Sequence, residues 1–431
     1  MRRRALLAAA ATASTVGVAG CAALGNDCPS PSTDIDPPDG AWPTTGFDRA
    51  NTGHAPAGPG PSRERWRYRR GSEPSQYLYG FFSKPLVVDD TVYVAMTTGD
   101  SFGGTEYHGN VLAVDARTGE RRWRAELPRL AAGAVASRDG RLYVGDAGGR
   151  LHALDTATGD RAWTTSLGDS AVGTPTPYGD RVYVLDDAGT LHAVTAAGDA
   201  CFSRAASGVA EGLLGGPDRR AGAAPAVDDD RVYVTVAEER DDGPTAVVRA
   251  ISHDDALDWT HEFPVGRATP NAPAVTDGGV VVTGGDRLRV LDPDGGDRRG
   301  QVVFGYEHVG PPATNGTRAY VGAKNLYAID LDDATRRWRV VNHARSDGVG
   351  GWTDGIPFLA RPAVADGTVY HRAAAYDART GERQWGSTAD EEVANGEYTT
   401  SAYGRRPFAA PAITADALYL AHQHRGVVKY A

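Results

Sequence analysis

The sequence predicts an all-β chain, an eight-bladed β-propeller of four-stranded antiparallel blades, with the ring closed by an N-terminal strand. Three observations carry this. First, AVDARTGERRW at 113–123 recurs as ALDTATGDRAW at 153–163, AIDLDDATRRW at 328–338 and AYDARTGERQW at 375–385. Second, a strand of the type VYV precedes each copy, centred on Tyr93, Tyr143, Tyr183, Tyr233, Val281, Tyr320, Tyr370 and Tyr419. The intervals of 39 to 50 residues match the period of a four-stranded blade. Third, the last unit stops after RGVVKYA at 425–431, while SRERWRY at 62–68 reads as a Trp-bearing fourth strand with no first half before it. Pairing the two would close the ring and remove the open edges.

Taken in order, residues 1–21 read as a signal peptide: a basic start at Arg2, Arg3 and Arg4, a weakly apolar stretch, and VAGC at 18–21. VAGC resembles the lipobox of secreted lipoproteins, and the Arg pair resembles a twin-arginine (Tat) export signal. Cys21 is then the expected lipidated N-terminus, at the outer face of the cytoplasmic membrane. Residues 22–41, rich in Pro, Ser and Asp, offer little to bury and read as a flexible tether. Residues 42–431 form the propeller domain.

Within each unit the residue types suit a turn and a seal. Asp115, Asp155, Asp330 and Asp377 present a carboxylate to the backbone N–H groups of the turn they open. Gly119, Gly159 and Gly381 tolerate the positive φ of that turn. Trp66, Trp123, Trp163, Trp338 and Trp385 supply large rings to fill the gap between sheets. Three units are degenerate: the third has Thr195 and Phe202, the fourth Ser252 with Trp259, and the fifth Asp292 with Gly300. Repeat folds tolerate such weak copies between strong neighbours.

The formal net charge is −10, with lysine only at 84, 324 and 429, and loss of the leader arginines makes it more negative. Such a surface excludes a phosphate-backbone partner, hence no nucleic acid, and its Asp- and Arg-rich, Lys-poor character fits a salt-loving organism such as a haloarchaeon. Cys28 and Cys201 are the other cysteines. They are able to pair in an oxidising compartment, but two isolated cysteines give no framework, and Cys201 is expected to pack as a small apolar residue. The metal expectation is none: His422 and His424 share one strand face without a third ligand. His152 and His192 hold equivalent places in two units, which argues for a repeat role, and EERDD at 238–242 reads as a solvated turn.

Binding is expected where the repeats leave off. Long segments fall at 69–84, 97–109, 204–222, 341–361 and 386–408, and four of the five belong to blades adjacent in the closed ring. They carry Tyr77, Tyr79, Phe82, Trp352, Asp354, Tyr398, Tyr403 and Arg405. Aromatics among charges mark a partner surface, the alternative being that they pack beneath their own loops.

The pattern A-x-D-x-x-T-G-x-x-x-W in eight units resembles the tryptophan-docking repeat of pyrroloquinoline-quinone (PQQ) type propellers across residues 42–431. That resemblance implies one of two arrangements: quinoprotein dehydrogenases, which hold PQQ and Ca²⁺, or BamB-like lipoproteins, which carry no cofactor. The quinoprotein arrangement implies a vicinal Cys-Cys pair, and this sequence has none. The layout of a lipobox ahead of a bare ring is closer to the second. The expectation is a monomeric, non-catalytic protein-binding scaffold without cofactor, an uncertain enzyme at most. A quinoprotein-like oxidoreductase and a carbohydrate-binding surface protein are the alternatives.

Overall fold

The computed structural model describes residues 28, 30–32, 37, 40–60, 63–68, 82–99, 107–205, 224–241, 243–265, 270–305, 308–341, 360–371, 374–386, 410–422 and 426–431. The expected leader with Cys21 lies outside them. Eight four-stranded antiparallel sheets make up the ring. Blade 1 runs from Leu86 to Leu127, blade 2 from Ala136 to Ser166, and blade 3 from Thr176 to Ala205. Blade 4 spans Ala226 to Pro264, blade 5 Ala274 to Val303, blade 6 Ala313 to Val340, and blade 7 Ala363 to Gly386. Blade 8 joins Ala412–Tyr430 to Glu64–Tyr68. First strands of successive blades contact one another around the axis.

Burial explains the strand composition. The second strand of blade 3, RVYVL, and the third strand of blade 2, RLHALD, are buried along most of their length, whereas the outer strand RAWTTS alternates exposed and half-buried. A strand covered on both faces reads as a near-continuous apolar run. The core is a series of layers between blades: one contains Leu86, Val111 and Ala113 of blade 1 with Leu142, Val144 and Leu154 of blade 2.

The N-terminal strand closes the ring as expected, with Trp66 opposite Lys429 and Tyr68 opposite Val427. Beyond that strand, Arg63 N donates to Ala431 O at 3.4 Å and Ala431 N to Arg63 O at 3.1 Å.

The sequence did not foretell the path of residues 42–55. Trp42 exchanges backbone hydrogen bonds with Val87, and Ser137, Val227, Val275, Thr314 and Val364 donate in turn to Pro43, Arg49, Ala50, Thr52 and Gly53. The segment therefore runs around the axis against the first strands of blades 1, 2, 4, 5, 6 and 7. It lies toward the lower face, which carries the turns between strands one and two and between strands three and four.

Cys28 and Cys201 form a disulfide, with Cα atoms 5.5 Å apart. This corrects the expectation that Cys201 packs as a free apolar thiol. The two lie 173 residues apart, and only the arm crossing beneath blade 3 brings them together. Arg181 Nη2 donates to Cys28 O at 3.3 Å, and Ser32 N to Asp180 Oδ1 at 3.3 Å. The expected tether is thus held to the ring at Cys28 and Ser32.

Candidate functional site

The repeated residues assemble into a three-part seal. In blade 1, Tyr93, Ala113 and Trp123 lie opposite one another across strands two, three and four. The small Ala lets the rings of Tyr93 and Trp123 approach to 5.8 Å between centroids. Trp123 Nε1 then donates to Thr156 O of blade 2 at 2.9 Å. Its ring covers Gly159, where an added Cβ would lie 2.7 Å from Cε3. Trp66 repeats this onto Ala116 and Gly119, Trp163 onto Ala196 and Gly198, Trp259 onto Pro293 and Gly296, and Trp338 onto Ala378 and Gly381. Trp385 packs against Tyr370 with centroids 6.2 Å apart. Each turn glycine is therefore required twice, by its positive φ and by the tryptophan of the preceding blade.

The turn carboxylates act within their own turns. Asp115 Oδ1 accepts from Arg117 N and Thr118 N at 2.9 and 2.8 Å, and its Oδ2 pairs with Arg122 at 2.8 Å. Arg122 and these backbone donors hold its pKa below the usual carboxylate range. Backbone N–H groups do the same for Asp155 and Asp377, and Arg299 with backbone N–H groups for Asp292. Asp330 pairs with Arg337 at 3.0 Å.

Two buried networks have the outward form of a catalytic triad. His152 Nε2 meets Asp146 Oδ2 at 2.8 Å and its Nδ1 meets Thr164 Oγ1 at 2.9 Å; His192 joins Asp186 and Ser203 at 3.0 and 2.7 Å. Both occupy the same place in adjacent blades. Asp146 Oδ1 also accepts from Gly148 N at 2.8 Å and Arg150 N at 3.1 Å, so the carboxylate staples the turn after strand two to strand three. His152 and Asp146 are both fully buried, which leaves no room for a reacting group. In blade 4, the Glu238 of the acidic run pairs with Arg240 and Arg249.

The axis carries the least ordinary chemistry. Lys84 and Arg361 precede the first strands of blades 1 and 7 and converge on the loop 42–55. Lys84 Nζ donates to Thr45 O and lies 4.9 Å from the Trp42 ring centroid. Asp48 accepts from Thr52 N at 2.9 Å and from Thr52 Oγ1. Burial pushes Asp48 up to about 6, against the opposing pull of Thr52, Arg361 and Arg49. Burial, reinforced by Arg361, lowers Lys84 well below the ordinary lysine value, and burial brings Arg361 to about 10. Arg361 faces the Asp48 carboxylate, and Lys84 faces the Thr45 carbonyl. They do not make a Ca²⁺ ligand set, and among the described residues no group of three His, Cys, Asp or Glu side chains forms a metal site. Both described cysteines are joined at the rim of blade 3, away from the axis, so the residues present do not fit a quinone held against a vicinal disulfide. On the lower face, a cavity of about 390 Å³ opens beside Pro37, Asp48, Arg49, Asp89, Arg138 and Thr156.

A family model described as the outer membrane protein assembly factor BamB matches residues 107–234 and 244–431. The chain belongs to this family. Among curated protein sequences none matches. A europium-containing methanol dehydrogenase is 14% identical with a TM-score of 0.61, over 88% of this chain and 89% of that one. The quinohemoprotein alcohol dehydrogenase ADHIIG of Pseudomonas putida HK5 is 14% identical with a TM-score of 0.62, over 94% and 83%. BamB from Moraxella catarrhalis is 15% identical with a TM-score of 0.54, over 86% and 97%. At these identities the structures share the fold with this chain.

Of the residues expected to form a partner surface, Tyr77, Tyr79, Trp352, Asp354, Tyr398, Tyr403 and Arg405 lie outside the described residues, as do the His422 side chain and His424. Phe82 is half-buried, bridges to Met96, and packs on the core shared by blades 1, 7 and 8. The axial group of Lys84, Asp48 and Arg361 was missed. Two of the three lysines in the sequence are placed where they face backbone carbonyls, Lys84 at Thr45 and Lys429 at Ala116, and that scarcity was the available signal.

Proposed function

We propose that the protein is an exported, lipid-anchored propeller that acts as a non-catalytic protein-binding scaffold at the outer face of the cytoplasmic membrane. The observation that carries the reading is the axis. The chain's own segment 42–55 runs around it and sets Asp48 against Arg361 and Thr45 against Lys84, so the central position is engaged in structure. The family match supports the same direction. Partner recognition then falls to the upper face, from which the long segments leave the ring, with Tyr79, Trp352 and Tyr403 as the aromatic contacts. Replacing these three by Ala should remove a partner from the crosslinking profile of intact cells while leaving the melting curve in place. An unchanged profile would count against the scaffold.

A quinoprotein-like oxidoreductase is the second reading, favoured by the fold shared with the methanol and quinohemoprotein alcohol dehydrogenases. Titrating purified protein with PQQ and Ca²⁺ separates the two: a saturable absorbance change with dye reduction would overturn the scaffold.

A further inference from the structure

The Cys28–Cys201 disulfide changes what a lipid on Cys21 would do. A tether of residues 22–41 would let the ring tumble, but only six residues separate Cys21 from Cys28. A chain rises at most about 3.5 Å per residue, so the lipid carrier lies within about 25 Å of the clamp. Cys201 is the second residue of the outer strand of blade 3, directly after the turn at Thr195–Asp199, and is 5% exposed. Ser32 continues the arm along the lower face, its N–H on Asp180 and its carbonyl oxygen 2.2 Å from where a Cβ on Gly179 would stand.

We infer that the lower face of blade 3, at its rim, is the surface held against the lipid bilayer, which turns the upper face away from it. The inference rests on the lipid-anchor reading above. The clamp, rather than charge, sets the orientation: the neighbouring lower-face turns carry Asp180 and Asp199, with Asp229 and Asp255 paired to Arg49 and Arg204, which gives anionic headgroups little to attract. The surface that meets lipid is therefore apposed to it without being inserted, and the upper-face segments are presented to partners away from the membrane.

Two exposed alanines of one blade test this. Ala197 lies in the lower turn between strands three and four, and Ala188 in the upper turn between strands two and three. With the photocrosslinker benzoylphenylalanine at either position in full-length protein on native membranes, lipid labelling at Ala197 should exceed that at Ala188 several-fold. Cys201→Ser should shrink the difference by releasing the arm. Equal or reversed labelling of membrane-attached protein overturns the orientation alone. Protein that stays in the soluble fraction, with no lipid mass on Cys21, overturns the anchor and the orientation with it.

Discussion

The seam between blades 1 and 2 and the seam between blades 5 and 6 are built from the same positions with opposite contents. In the first, Tyr93, Ala113 and Trp123 form a row that ends over Gly159 of the next blade. In the second, Val281, Val290 and Gly300 occupy the row. The receiving turn holds Ala334 at φ 52°, and its Cβ lies 2.6 Å from where a Cβ on Gly300 would be. Tyr, Trp and the following Gly have been lost together. A third seam is intermediate: Phe202 packs at a tilt against Tyr183, and the receiving turn carries Asp255 at φ 71°. The unit of the repeat is thus the joint between two blades. A turn glycine is kept where the preceding blade supplies an indole to cover it, except in blade 8, whose third and fourth strands come from the two ends of the ring.

That comparison sets the order of expected effects. The largest belong to intact seams: Trp123→Ala should cost about 3 to 5 kcal/mol in chemical denaturation, as large aromatic truncations do. Trp66→Ala should cost a comparable amount, because its seam also joins the two ends of the ring. Gly159→Ala should approach that loss alone. In a double-mutant cycle with Trp123→Ala its effect should fall well below additivity, since the clash goes with the ring; strict additivity would break the joint reading.

Loss of the clamp comes next. Cys201→Ser should lower stability by about 2 to 4 kcal/mol under non-reducing conditions and leave little change once wild type is reduced.

At the weak seam, Ala334→Gly should shift stability by no more than about 0.5 kcal/mol. Gly300→Trp should destabilise alone and be partly rescued by Ala334→Gly, as read from the two melting temperatures.

A separate effect is in pH. Asp48 is raised in the folded state to about 6, so it stabilises the fold when protonated, and this contribution fades as pH rises from about 4 through 6. The turn carboxylates Asp115, Asp155, Asp292 and Asp377 are depressed, so their contribution is full above the ordinary Asp value of about 4 and fades below it. The melting temperature should therefore decline slightly from pH 5 to 7, and Asp48→Asn should flatten that slope while leaving the acid limb intact.

What was legible follows from repetition. The period of the VYV strands and the stray SRERWRY are local patterns that recur, so the blade count and the closure at Trp66 could be read from them. The joint was half legible: Val281, Gly300 and Ala334 depart together in the sequence, but their partnership needs the contact between neighbouring blades. Residues 42–55 occur once and have no register to be compared with, and their turns at Phe47, Asn51 and Gly53, all at positive φ, are set by the surrounding strands. The disulfide joins the arm to a distant blade, a proximity no local spacing encodes. Lys84 and Arg361 meet only because the first strands of blades 1 and 7 face a common axis.

The closure of blade 8 also has a consequence in time. Glu64 pairs with Tyr430, and Arg63 with Ala431, so the contact that finishes the ring spans nearly the whole sequence. Loop closure over such a separation is among the slowest contacts to form. Seven blades can assemble from neighbours as the chain emerges, but the strand Glu64–Tyr68 stays unpaired until residues 426–430 arrive. During that interval the strand Glu64–Tyr68 and its tryptophan are a sticky end of one molecule, and a second chain that has completed residues 426–430 without yet closing its own ring offers the matching edge. Crowded, slow synthesis therefore favours exchange of this strand between molecules, whereas dilution favours the closed ring.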